Sequence, residues 1–80
     1  MKKPLTKNEQ QIYNILAKEA DKDGFINLTY KSVQEITNDL PITLQLIYRR
    51  LNSIKDKDYI DWEKKYYIRI LSKAIERRML

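Results

Sequence analysis

The chain has 80 residues, 42% of them hydrophobic, with one Gly, two Pro and a formal net charge of +5. That composition belongs to a folding chain rather than a linker, and the length holds a single domain, residues 1–80, near the size at which one core becomes marginal. Cys and His are both absent, which excludes a disulfide framework, a thiolate metal site and the commonest general base.

The charge is unevenly placed. Met1 to Leu40 holds six Lys against six acidic residues, whereas Pro41 to Leu80 holds ten basic residues against five acidic. A balanced half beside a basic half suits one-sided docking on a polyanion, although basic residues also simply keep small proteins soluble. Met1-Lys2-Lys3-Pro4 leads into the mixed run Leu5 to Ile12. Without an apolar stretch that resembles a signal peptide or a bilayer span, a cytoplasmic location is expected. The abundance of Ile, Lys, Tyr and Asn suggests an AT-rich coding sequence, as in a low-GC bacterium or a mobile element.

In chain order, Thr6 and Glu9 spell a capping box, in which hydroxyl and carboxylate each satisfy an orphan amide at a helix start. The helix is predicted to run to about Ala20, with Ile12, Ile15, Leu16 and Ala20 on its buried face. Asp21-Lys22-Asp23-Gly24 stops it. The same four residues resemble the start of a calcium loop, but the position that needs a bidentate Glu is Tyr30, so no calcium site is expected. Phe25 to Leu28 reads as a short edge strand. Thr29 is the expected cap of a second helix, Tyr30 to about Asn38, with Val33 and Ile36 inward and Leu40 plugging the following turn before Pro41.

Thr43 is the expected cap of a third helix that ends near Asp56. Its core stripe is Ile47, Leu51 and Ile54, which leaves Gln45, Tyr48, Arg49, Asn52 and Lys55 on or near the opposite face. Alternation then gives a hairpin. Opposing Trp62 with Tyr66 and Ile60 with Ile68 leaves the tip Glu63-Lys64-Lys65, with Trp62 facing the core and Asp61, Tyr67 and Arg69 on the outer face. Ser72 should cap a short last helix to Leu80, whose Ile75 and Met79 form a small apolar stripe.

The predicted fold class is therefore mainly α with a small β-hairpin: a three-helix core, a short antiparallel sheet and a short C-terminal helix. In that layout the segments LTKNEQQIYNIL and NLTYKSVQEITNDLPITLQLIYRRLNSIKDKDYIDWEKKYYIRIL resemble winged helix-turn-helix domains of the LexA N-terminal and MarR-like kinds. Ile47, Arg49, Arg50, Leu51 and Ile60 match the pattern of a recognition helix leading into a wing, and Asp58 stands where that family usually has Gly. The resemblance spans Leu5 to Leu71 and implies a fold superfamily rather than a particular regulator.

What it implies is a third helix laid in the major groove of duplex DNA, with the hairpin on neighbouring backbone or minor groove. Gln45 and Arg49 are then the leading base-contact candidates, flanked by Tyr48 and Asn52, since an amide can pair bidentately with adenine and a guanidinium with guanine. Thr43, Lys31, Lys55, Lys64, Lys65 and Arg69 are the candidates for backbone phosphates. Arg50 falls off that face and is expected to be solvated or paired with Asp39 or Glu35. The leading expectation is a non-enzymatic, sequence-specific duplex binder, a small transcriptional regulator or a module of a plasmid or viral replication or partition protein. It would need no cofactor, metal, membrane or small-molecule ligand, and the first and last helices offer the surface for a homodimer.

Two other functions compete. A winged helix can serve as a protein-interaction module instead. Single strands could stack on Trp62, Tyr66 and Tyr67 beside Lys64 and Lys65, although the alternation turns Trp62 and Tyr66 inward. Catalysis ranks last, because the chain offers no phosphate-cradling Gly loop, carboxylate pair or nucleophile with a base.

Overall fold

Thr6 opens the fold as its sequence pattern requires. Its hydroxyl accepts from the Glu9 amide at 3.2 Å, and the Glu9 carboxylate accepts the Thr6 amide at 2.8 Å. The computed structural model of the chain describes residues 3–71. In chain order these form α1 (Lys7–Glu19), β1 (Phe25–Asn27), α2 (Val33–Ile36), α3 (Leu44–Asp56), β2 (Ile60–Glu63) and β3 (Tyr67–Ile70). The result is a winged-helix-like topology, mainly helical, with a small antiparallel sheet in which β3 lies between β1 and β2. The helix expected over Ser72 to Leu80, and with it half of the expected dimer surface, lies outside the described residues.

One core joins the two layers. Ile12 and Leu16 from α1, Ile47, Leu51 and Ile54 from α3, and Ile26, Ile60, Ile68 and Ile70 from the sheet are buried together. These are the residues that helical and alternating periodicity pick out, because a helix has one apolar stripe to bury and a sheet one apolar face. Leu40 and Ile15 are partly buried against this core. Gly24, at φ 78°, makes the turn into β1 in the left-handed region that costs glycine least, and its carbonyl accepts the Ile70 amide.

Two expectations are corrected. The second helix is shorter and begins later than predicted. Thr29 does not cap it, because its amide and hydroxyl both donate to the Asn27 side-chain oxygen. That local turn, closed by the Tyr30 amide on the Asn27 carbonyl, occupies the chain up to Lys31, and Ser32, whose hydroxyl accepts the Glu35 amide, starts the helix. The helix ends at Thr37, whose buried hydroxyl donates to the Val33 carbonyl at 2.8 Å.

The hairpin register is the second correction. Ile60 opposes Ile70 and Trp62 opposes Ile68, a shift of two residues from the expected pairing. A shift of two keeps each side chain on its own face, so the core assignment survives, but the tip moves to Lys64-Lys65-Tyr66. Tyr66 is therefore an exposed loop residue and not an inward strand residue. Its carbonyl still accepts the Leu28 amide, which extends the pairing of the β1 edge.

The corner between α3 and β2 is a Schellman motif. The Tyr59 amide donates to the Ile54 carbonyl and the Asp58 amide to the Lys55 carbonyl, with Asp58 left-handed at φ 67°. Asp is one of the few non-glycine residues that enter this region readily, which explains how it replaces the Gly usual at this corner.

Glu9 fastens the start of α1 to the end of α3. It is 5% exposed and accepts from Lys57 Nζ at 2.5 Å and from the Ser53 hydroxyl. Burial alone would raise its pKa, but Lys57, Ser53 and the Thr6 amide together outweigh burial and bring it down to about 2. Lys57 also donates to the Pro4 carbonyl and Tyr59 to the Lys3 carbonyl, so the first described residues are held against the same corner.

Candidate functional site

Helix α3 turns its buried stripe to the core and presents Gln45, Tyr48, Arg49, Asn52 and Lys55 outward, all exposed. The periodicity of a 13-residue helix accounts for this separation. Thr43 caps the helix by accepting the Leu46 amide at 3.3 Å, which leaves its hydroxyl proton free to donate at the helix start. Asp56 is the one carboxylate within α3, and it lies in the last turn, away from Gln45 and Arg49.

The hairpin is tied to this face by aromatic packing. The rings of Tyr48 and Trp62 stack with centroids 5.8 Å apart and planes 10° from parallel. Trp62 is half-buried and packs against the core from the expected inward face, and its indole N–H donates to the Lys64 carbonyl at 3.0 Å. Lys55 Nζ reaches the Trp62 carbonyl at 3.3 Å, so this ammonium fixes β2 to α3. The tip that follows carries Lys64, at φ 31°, and Lys65, both exposed.

Two adjoining open clefts result. One, of about 240 Å³, is lined by Tyr48, Trp62, Lys64 and Lys65. The other, of about 220 Å³, shares Tyr48 and both lysines and continues over Leu28, Ser32 and Val33. Sequence reasoning missed Ser32 and Leu28 here, because their approach to α3 depends on the late start of α2. The Ser32-to-Glu35 capping spacing was the available signal.

Two predicted contact residues lie elsewhere. Lys31 pairs with Glu19 of α1 at 3.0 Å. Arg69 lies on the outer sheet face opposite Asp61, in a concavity of about 470 Å³ that also includes Asp21, Asp23, Phe25 and Tyr67. Phe25 and Tyr67 stack there with centroids 5.2 Å apart. The Asp61 carboxylate raises the Tyr67 pKa, helped by desolvation and by Glu63 and opposed by Arg69, and three carboxylates, Asp21, Asp23 and Asp61, line this concavity with the one guanidinium. Arg50 is half-buried and takes part in neither ion pair found among the described residues, Lys31–Glu19 and Lys57–Glu9.

Among the described residues no group of three or more Asp or Glu gathers as a metal site, and no helix is long and apolar enough to cross a membrane. No family model matches the chain, and comparison with curated proteins and with solved structures returns no match. The fold and its exposed helix face suit a nucleic-acid or protein-binding module.

Proposed function

We propose that this protein is a non-enzymatic duplex-DNA-binding module of the winged helix-turn-helix kind, serving in transcription or in replication or partition of a mobile element. The carrying observation is the outward face of α3, where Gln45, Arg49 and Asn52 stand exposed on the helix whose Tyr48 lines a cleft with the paired lysines of the hairpin tip. An α-helix fits the major groove, whose floor distinguishes every base pair, and amide and guanidinium side chains match that pattern of donors and acceptors. Gln45 and Arg49 read base edges, with Asn52 beside them. Thr43, Lys64 and Lys65 hold phosphates, which fixes the position of the helix without reading sequence. Lys31, Lys55 and Arg69 are weaker candidates in this arrangement, being occupied by Glu19, by Trp62 or by the outer sheet face.

The test is equilibrium binding to a labelled random-sequence duplex and to the matching single strand across a salt series. Preferred duplex binding that weakens steeply with salt is expected, because displaced counterions set the slope. Absence of binding to either at low salt would overturn the proposal and direct attention to a protein partner. The single-strand arm has force because Tyr66 is 65% exposed at the hairpin tip, where an aromatic ring could stack on a base.

A further inference from the structure

Helix α3 and the hairpin are not two separate contact points. Tyr48 and Trp62 join them through a ring stack, and Lys64 and Lys65 border both clefts that flank Tyr48. The linings of the two clefts contain no carboxylate. Their two lysines share the linings with the Tyr48 and Trp62 rings and with the buried residues Leu28 and Val33, while Ser32 and Tyr48 add hydroxyl groups. Cations beside apolar and aromatic groups in one open cleft match a strand whose phosphates alternate with deoxyribose rings. The carboxylate-bearing concavity on the outer sheet face has the opposite character.

We infer that one sugar-phosphate strand of the duplex lies along this continuous cleft, with phosphates at Lys64 and Lys65 and deoxyribose against Tyr48 and Trp62. This rests on the duplex-binding proposal and deepens it. Tyr48 becomes a backbone-packing residue rather than a base reader, and the hairpin tip grips the strand bordering the groove entered by α3 instead of reaching into a separate minor groove. The indole N–H bond to the Lys64 carbonyl holds the tip in place for that grip.

The chain contains one Trp, so its fluorescence reports the cleft directly. Two readouts are taken on the same samples: anisotropy of a labelled duplex, which reports binding, and acrylamide quenching of Trp62, which reports cleft occupancy. The expected result is a rise in anisotropy together with a fall in the quenching constant of Trp62. In the Lys64→Gln/Lys65→Gln variant, the duplex should bind with a log-affinity salt slope shallower by roughly two units. Both substitutions are at the exposed tip and leave the core intact. A rise in anisotropy with unchanged Trp62 quenching overturns the inference while leaving duplex binding in place, as does an unchanged slope in the double variant. No rise in anisotropy overturns the underlying proposal. Protection of Trp62 by the matching single strand alone also overturns the duplex assignment.

Discussion

Tyr48 on α3 and Trp62 on β2 lie in a nearly parallel, offset stack, 5.8 Å between centroids and 10° between planes. The contact sets the angle of the hairpin to the helix that it flanks. An aromatic pair of this kind contributes about 0.5–1.5 kcal/mol beyond the area it buries. Tyr48→Ala, which removes both the stack and the area it buries, should lower unfolding stability by at least that amount and shift Trp62 emission to longer wavelength as water reaches the indole. A denaturation midpoint and an emission maximum identical to those of the unmodified chain would mean that the stack does not hold the hairpin.

Glu9 supplies a pH-dependent fastening. Its folded pKa of about 2 lies below the ordinary 4.5, so its contribution is complete above the unfolded value and is lost as pH falls from there towards about 2. Urea midpoints for the unmodified chain should decline through that window. Glu9→Gln should cost about 1.5–3 kcal/mol at neutral pH, the range for hydrogen bonds to a charged group, and should flatten the acid decline. Parallel pH profiles for the two proteins would show that the carboxylate is not the group responsible.

The left-handed corner at Asp58 makes a paired prediction. Asp58→Gly should raise stability by up to about 1 kcal/mol by relieving the strain of a side chain in this region. Asp58→Val should lower it by about 1–2 kcal/mol, since a branched side chain tolerates φ 67° poorly. Thermal unfolding of both variants checks the order. A Val variant as stable as the Gly variant would contradict the Schellman geometry.

How much of this was legible in the sequence differs from element to element. The capping box at Thr6 and Glu9 and the stripe Ile47, Leu51, Ile54 follow from strictly local rules, and the structure places them as expected. The α2 boundary did not follow, because Asn27 and Ser32 competed with Thr29 for the same stretch of backbone. The hairpin register also escaped: alternation fixes which face a residue takes, while the pairing depends on a tip without glycine in which Lys64 adopts positive φ. The exposed face of α3 was readable from periodicity, yet the convergence of Lys64, Lys65 and Tyr48 on shared clefts depends on a tertiary stack that no local pattern encodes.

Base readout and backbone grip should separate by mutation. Arg49→Ala should cost roughly 1–3 kcal/mol of affinity for a selected site and relax the preference at one base pair, while Lys64→Gln should weaken all sequences alike and reduce the salt slope by about one. Titrations of a selected duplex and a scrambled one would show the split. Equal loss on both duplexes for Arg49→Ala would remove it from the base-reading role.

The most direct measurement of the docking face is an amide chemical-shift titration of the ¹⁵N-labelled chain with duplex DNA. The proposal predicts the largest changes from Thr43 through Asn52 and at Glu63 through Tyr66, with Phe25, Tyr67 and Arg69 on the outer sheet face nearly unmoved. Changes concentrated on that outer face or on α1, with α3 silent, would contradict it.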